Sequence, residues 1–249
     1  MNPLRRYEKI MEYLLTHKEV TVADLSQQLQ VTGKTIREDL TKLEEQGLIV
    51  RVHGGAVLAQ TDHFGILPSK EPLVKHNDEK SEIAHKALDH IHSGDIIALD
   101  GGSTTLQIAR GLEDRSLTVI TNDVHIIGEL ASKTNIRLVV PGGYRVRNML
   151  AGPEGVAYVK ELNIQKAFIS ATGVHLDHGL TIYTGELIPF KRALIETSRT
   201  VYAVADHHKF GQTALRTFSS LQEVSGIITD TKLAREMMEQ YQAAGVTLI

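Results

Sequence analysis

The 249 residues include no cysteine and no tryptophan. Without thiols the chain can form no disulfide, no cysteine-ligated zinc or iron-sulfur centre and no thiol nucleophile, which fits a reducing compartment. Aromatic residues make up only 5%, too little material for a base-stacking platform, and this counts against single-stranded nucleic acid as a target. No apolar run approaches the ~20 residues that span a bilayer. The first eight residues run into an amphipathic pattern with acidic side chains, unlike a secretory signal, so a cytoplasmic protein without a membrane partner is expected. There is also no excess of positive charge: 27 Lys and Arg stand against 30 Asp and Glu, a net −3. Coating nucleic acid or a membrane by charge alone is thereby excluded, and any nucleic-acid contact must be local. What is present is ordinary for a globular protein, with 42% hydrophobic and 23% charged residues, and the length suits one large or two ordinary domains.

At the N-terminus, Leu4, Tyr7, Ile10, Met11, Leu14 and Leu15 recur at three- and four-residue spacings, which predicts a helix over 4–16. Val22, Leu25 and Leu29 predict a second, shorter helix, with Thr21 as its N-cap. After a turn at 31–33, a third helix starts near Lys34, carries Ile36, Leu40 and Leu43 inward and ends at Gly47, suited to a left-handed cap. Residues 48–53 read as a strand, Gly54-Gly55 as a tight turn and 56–58 as a return strand. Such an order is a winged helix. A plain three-helix bundle is the bland alternative, but Thr32, Lys34, Thr35 and Arg37 at the start of the third helix suit phosphate oxygens and base edges. Lys42 can reach a phosphate further along, and the hairpin adds Arg51 and His53 beside Gly54-Gly55, whose small size lets backbone amides approach a phosphate or groove. Residues 1–58 hold eight basic and eight acidic side chains, so affinity must come from one basic face. Asp39 reads as a salt bridge internal to its helix, since a carboxylate facing phosphate is repelled.

Residues 59–77 lose periodicity, carry Pro68 and Pro72, and read as a linker. The segment 78–92 looks helical. Short β-branched runs then alternate with helical stretches, with strands expected over 95–100, 117–122, 136–140, 167–171, 201–206, 226–230 and 246–249. Over 78–249 the fold class is therefore α/β, a parallel sheet with helices on both faces and ligands beyond the strand carboxyl ends. At the first such end, Asp100-Gly101-Gly102-Ser103-Thr104-Thr105 leads into a helix over 106–112; glycines let the backbone pass close to a ligand, and hydroxyls with free amides make an anion site. Neither a nucleotide P-loop nor a dinucleotide fingerprint is present, so nucleotide cofactors are disfavoured and none of any kind is expected. Asn122, Gly143, Thr172, Gly173 and Lys209 lie at the other strand ends. One cation, hydroxyls, an amide and glycine loops converging there suit a small phosphorylated polyol.

Thr35-Ile36-Arg37-Glu38-Asp39-Leu40, then Leu43-Glu44-Glu45-Gln46-Gly47 and Arg51-Val52-His53-Gly54-Gly55-Ala56, resemble the N-terminal signature of the DeoR family of bacterial transcription regulators. The resemblance continues through the Asp100 to Thr105 loop, Thr121-Asn122, the Pro141-Gly142-Gly143 turn and Asp206-His207-His208-Lys209-Phe210-Gly211. It implies a winged helix-turn-helix reading double-stranded operator DNA through Thr32, Lys34, Thr35 and Arg37, with residues 51–55 as the wing. The second domain is implied to resemble ribose-phosphate isomerase and to sense sugar phosphates, with phosphate contacts from Gly102, Ser103, Thr104, Thr105 and Lys209 and polyol contacts from Asp100, Asn122, Thr172 and Glu186. Two departures stand out. Glu38 occupies a position where many members carry a second basic residue, and His207 replaces a small residue, either narrowing the pocket or adding a donor.

A sugar-operon repressor released by a phosphorylated intermediate is thus expected, with activation as the close variant. Half-site geometry further implies an even-numbered homo-oligomer, a dimer or tetramer. The alternatives are a sugar-phosphate isomerase with an appended winged helix, and a winged helix used for protein contact only. Asp100, Glu186 or Asp206 could act as general acid or base on a bound sugar phosphate, but hydrogen bonding to hydroxyls is the simpler reading, and no catalytic residue is assigned. His175 with His178, or His207 with His208, lack a third ligand at recognisable spacing, so no metal is expected.

Overall fold

A computed structural model describes residues 2–17, 19–45, 48–58 and 77–249, with only the backbone at Leu4, Leu15, Glu45 and Leu58. The Leu4 and Leu15 side chains, the Gly47 cap and nearly all of the linker expected over 59–77 fall outside the described residues. The chain falls into two compact units.

The N-terminal unit runs α1 (Pro3–His17), β1 (Glu19–Thr21), α2 (Val22–Leu29), α3 (Gly33–Glu45), β2 (Ile49–Val52) and β3 (Gly55–Leu58). Tyr7, Ile10, Met11, Leu14, Leu25, Leu29, Ile36, Leu40 and Leu43 form its buried interior, as the helical spacings require. Thr21 caps α2, its Oγ1 accepting from the Asp24 amide at 3.1 Å. Gln30 closes that helix in the left-handed region, φ 52°. One strand has no counterpart in the sequence reading: β1 pairs antiparallel with β3, making a three-stranded wing of order β1-β3-β2. Asp39 also differs from expectation. Its partner is not on α3 but on α1, where Arg6 Nε and Nη2 donate to the two carboxylate oxygens at 2.5 and 2.8 Å with both residues buried. This bidentate pair joins α1 to α3 and holds the Arg6 pKa above its ordinary value, chiefly through the Asp39 hydrogen bond.

The C-terminal unit runs α4 (Asn77–Leu88), β4 (Ile96–Leu99), α5 (Ser103–Gly111), β5 (Leu117–Ile120), α6 (Val124–Leu130), β6 (Ile136–Val139), β7 (Tyr144–Val146), β8 (Met149–Ala151), α7 (Pro153–Lys160), β9 (Ile164–Ser170), β10 (Gly173–His175), β11 (Gly179–Ile182), α8 (Ile188–Thr197), β12 (Ser198–Val204), β13 (Arg216–Ser219), β14 (Gly226–Ile228) and α9 (Arg235–Ala243). Six strands form a parallel sheet of order β14-β12-β9-β4-β5-β6. Alternate residues of each strand enter opposite cores. Ile97, Leu99, Val119 and Phe168 pack with Ile83 of α4, Ile108 of α5 and Ile126 of α6; Ala98, Ile120, Ala167 and Ile169 pack with Val159 of α7, Leu194 of α8 and Tyr241 of α9. This is the period-2 pattern of a sheet covered on both faces.

The expected strand over 246–249 is not a strand of the sheet. It lies beside β14 through a parallel bridge between Ile227 and Leu248, with hydrogen bonds to Thr247 and Ile249. An antiparallel sheet, β10-β11-β13, and a hairpin, β7-β8, are additions that the strand-helix rhythm did not announce. Among the described residues no helix is long and apolar enough to cross a membrane.

Candidate functional site

Each unit presents its own candidate surface. On α3, Ile36, Leu40 and Leu43 point inward while Lys34, Arg37, Glu38, Thr41 and Lys42 are exposed. Thr32 and Thr35 build the start of this helix. Thr32 Oγ1 accepts from the Thr35 amide at 3.2 Å and lies 3.0 Å from Thr35 Oγ1, satisfying one of the orphan donors of the first turn. Lys34 stands 3.9 Å from Glu38 with both side chains largely solvated, a pair too weak to restrain it.

Arg51 on β2 fastens the wing to this helix: its amide donates to Glu44 Oε1 at 3.0 Å and its Nη1 to Thr41 Oγ1 at 3.1 Å. Thr41 and Glu44 escaped the sequence reading because their partner is about ten residues away on another element. His53 and Gly54 are exposed at the wing turn, where Gly54 has φ 79°, a conformation that favours glycine. Gly55 has a different reason from the one expected. A Cβ there would stand 2.0 Å from the Val20 carbonyl oxygen of β1, so the strand crossing requires glycine whether or not anything else approaches.

In the C-terminal unit the chain order reverses between β4 and β9: β5 and β6 follow on one side, β12 and β14 on the other. The ends of β4 and β9 therefore form the switch point at which open α/β sheets bind ligands. Asp100, Gly102 and Ser103 lie just beyond β4, Asn122 beyond β5, Gly143 beyond β6, Thr172 and Gly173 beyond β9, and Lys209 beyond β12. Glu186 is exposed in a turn before α8. Helix α5 begins at Ser103, three residues earlier than expected, with no side-chain cap from Gly102. Thr105 is fully buried, and its hydroxyl donates to the Gly102 carbonyl at 2.9 Å.

Backbone neighbours require glycine at 143 and 173, while side chains crowd Gly101 and Gly102. A Cβ on Gly101 would meet Met149 Sδ at 2.4 Å, on Gly102 Ser170 Oγ at 2.8 Å, on Gly143 the Ala151 carbonyl oxygen at 2.3 Å, and on Gly173 the Gln212 carbonyl oxygen at 2.3 Å. The loop glycines thus let strands and hairpin close over the sheet end.

Asp100 is 1% exposed and engaged inside the protein. Its Oδ2 accepts from Ser170 N at 3.1 Å, from Ser170 Oγ at 3.0 Å and from Lys191 Nζ in a short contact. Lys191, on α8 and itself 1% exposed, donates also to the Ser170 carbonyl at 2.8 Å. The pair ties α8 to the ends of β4 and β9. Lys191 was not singled out from the sequence; its only signal there is a cation among the buried Phe190, Ala193 and Leu194 of one short helix.

At the end of β5, Asn122 Nδ2 donates to the Leu150 carbonyl at 2.9 Å, leaving Oδ1 buried without a partner. Asp123 caps α6 by accepting from the His125 and Ile126 amides at 2.8 and 3.2 Å, and it accepts from Asn148 Nδ2 at 2.6 Å. Burial pushes its carboxyl above the ordinary range against those hydrogen bonds.

Beyond β12, Lys209 is buried in a 3-10 turn capped by Asp206. The His207 and His208 rings lie 3.8 Å apart, His207 Nδ1 being 2.8 Å from Asp230 and His208 Nδ1 3.3 Å from Asp206. The His175 and His178 rings are 4.8 Å apart. Among the described residues no three His, Asp or Glu side chains are placed to hold a metal ion.

Comparison with known proteins gives two family matches, the DeoR-like helix-turn-helix domain over residues 6–62 and the DeoR C terminal sensor domain over 75–231. The chain is 34% identical over 238 residues to the HTH-type transcriptional regulator IolR of Bacillus subtilis, covering 94% of this chain and 93% of that protein. It is 30% identical over 234 residues to the glycerol-3-phosphate regulon repressor of Escherichia coli, covering 92% of each. Among solved structures, ribose 5-phosphate isomerase A of Methanocaldococcus jannaschii matches at 18% identity and TM-score 0.42 over 55% of each chain, a likeness too slight to carry a functional argument.

Proposed function

We propose a function from one premise: the chain belongs to the DeoR family of transcription regulators. It is a DNA-binding transcription regulator and not an enzyme. Our reading assigns residues 1–58 to operator recognition, 59–77 to a linker and 78–249 to sensing and self-association in the cytoplasm. The regulator represses a sugar or sugar-alcohol operon and is released by a phosphorylated sugar or polyol. The observation that carries the DNA reading is the division of α3, which buries Ile36, Leu40 and Leu43 and exposes Lys34, Arg37 and Lys42 beside a wing fastened by Arg51. In this reading Arg37 and Lys34 reach base edges, Thr32 and Thr35 set the start of the helix and meet phosphate, and Lys42, His53 and Gly54 contact the backbone.

The effector's phosphate sits at the first turn of α5, among the amides and hydroxyls of Gly102, Ser103 and Thr104 with Lys209 as counter-charge. Thr172, Gly143, Gly173 and Glu186 line its remainder. Asp100 and Thr105 hold these elements from behind. Support for a phosphorylated ligand comes from the sensor-domain match and from a relative named for the glycerol-3-phosphate regulon. Release requires that the effector bind the non-operator arrangement more tightly than the operator-bound one, since equal affinity shifts nothing. Two winged helices in a homo-oligomer reading paired half-sites supply the geometry to be disturbed.

The test is selection of genomic fragments by the purified protein, followed by binding to the selected site and to a scrambled duplex at physiological salt. A site preferred by a thousandfold or more is expected. Equal, weak binding to all fragments refutes the assignment of the α3 face.

A further inference from the structure

We infer that Arg51 acts on operator binding without touching DNA: it is a positioning residue that locks the wing to α3, so that the wing turn and Arg37 engage the duplex as one rigid reader. The inference rests on the operator reading proposed above and takes Arg51 out of the DNA contacts that the sequence suggested. Thr41 and Glu44, which no motif marked, are its anchors.

Strand register decides where Arg51 points. Arg51 pairs with Ala56, and Ala56 with Val20, across the wing, so the three side chains share one face of the sheet. Ala56 is 0% and Val20 3% exposed, while Val50, on the other face, is 47% exposed. The Arg51 side chain therefore sets out toward the interior of the unit and ends against α3. Its Nη1 donates to Thr41 Oγ1 at 3.1 Å and, at the long limit of 3.5 Å, to the Arg37 carbonyl, and its Nε is buried. Thr41 Oγ1 itself donates to the Arg37 carbonyl at 2.9 Å. The main chain is tied as well: β2 is an edge strand of the wing, and the Arg51 amide donates to Glu44 Oε1 at 3.0 Å. Residues 37, 41 and 44 lie along one face of a helix, and this one arginine grips that face with both its amide and its side chain.

A cation committed to these acceptors is withdrawn from phosphate, and what it supplies is geometry. Arg6 of α1 holds Asp39 on the same helix, so α3 is fastened from α1 and from the wing. His53 and Gly54 follow Arg51 closely in the chain, and the clasp thereby sets the distance from the wing turn to Arg37. Two contacts held at a fixed spacing lose less freedom on binding than two joined loosely. Loosening the clasp accordingly weakens specific binding, which needs both contacts in register, more than non-specific binding, which rests on phosphate charge.

The experiment uses the full chain as wild type, Arg51→Met, Thr41→Val and the double variant, each checked by thermal melting. Anisotropy measures binding to the selected operator fragment and to a scrambled duplex over a series of salt concentrations. Arg51→Met is expected to lower the preference for operator over scrambled DNA by about tenfold or more, with the slope of log affinity against log salt unchanged. Thr41→Val keeps every charge and should lower the preference by about threefold or more, the effect of one lost hydrogen bond. The double variant should match Arg51→Met within about twofold, because residues acting through one contact do not add. Partial unfolding weakens binding to both duplexes equally, so an unchanged preference in either variant overturns the inference. A salt slope smaller by ~0.9 for each wing, the mark of a lost phosphate contact, overturns it too, as does a double variant whose loss is the product of the two single losses. If Arg51→Met fails to fold, Thr41→Val decides the matter alone. Equal binding of the wild type to both duplexes refutes the α3 reading itself, and this inference with it.

Discussion

Replacing Lys191 by methionine removes a cation and keeps the volume and apolar stem of the side chain. In the wild type, Lys191 and Asp100 are each 1% exposed, and the ammonium donates to the Asp100 carboxylate and the Ser170 carbonyl while lying 5.1 Å from the centre of the Phe218 ring. Asp100 would be left as a buried carboxylate held only by the amide and hydroxyl of Ser170. Breaking a buried pair by removing one partner costs about 3 to 5 kcal/mol, because the other charge remains uncompensated. For a unit of this size each kcal/mol moves Tm by about 2 to 4 °C, so a fall of about 6 to 20 °C is expected. The double substitution Lys191→Met with Asp100→Asn removes both charges and keeps an acceptor for the Ser170 amide, and it should recover more than half of that loss. Urea unfolding followed by circular dichroism measures both quantities. A Lys191→Met protein within 1 kcal/mol of wild type, or a double variant as unstable as the single one, would refute the reasoning.

Three further expectations concern single residues. Arg37→Ala should weaken binding to the selected operator by about 1 to 3 kcal/mol while leaving the melting curve unchanged, as measured by anisotropy and calorimetry. Gly55→Ala places a Cβ 2.0 Å from the Val20 carbonyl; loss of β1 pairing, seen as fast amide exchange at Ala56, whose register partner on β1 is Val20, is expected, and native protection there would count against the account. The Arg192 guanidinium, with the Ser220 amide, lowers the Glu223 carboxyl from 4.5 to about 2. Its folded value is depressed, so the stabilisation is present above pH 4.5 and is lost as pH falls toward 2. Side-chain exposures of 33% and 39% in that pair let solvent screen it, and Glu223→Gln should cost only about 1 kcal/mol at pH 7 and nothing below pH 2.

Much of this architecture is written in periodicity. The spacing of Ile36, Leu40 and Leu43 names the buried face of α3, and the unbroken apolar run Ile97-Ala98-Leu99 marks a strand buried on both faces. What escaped is short or distant. β1 has three residues, Glu19 to Thr21, too few to display a period, and it exists because β3 offers it a partner. Arg6 finds Asp39 across 33 positions and Lys191 finds Asp100 across 91. No local pattern signals such pairs, since tertiary packing alone decides which buried charge meets which. The strand ends were legible as places, yet the contacts there were not. Asp100 reads as a ligand contact in sequence and is a buried ion pair in the fold. Asn148 sits in the turn before β8 with no motif around it, and its hydrogen bond to Asp123 spans 25 positions.

The central claim is that occupancy of the strand-end site changes affinity for operator DNA. Its most direct test is the operator dissociation constant of the full chain, measured by anisotropy at fixed salt without ligand and with a saturating polyol phosphate of three to six carbons shown by calorimetry to bind. The account predicts that affinity falls at least tenfold, about 1.4 kcal/mol of coupling, and that operator DNA lowers affinity for that ligand by the same factor. An operator constant unchanged by a ligand shown to be bound would contradict it.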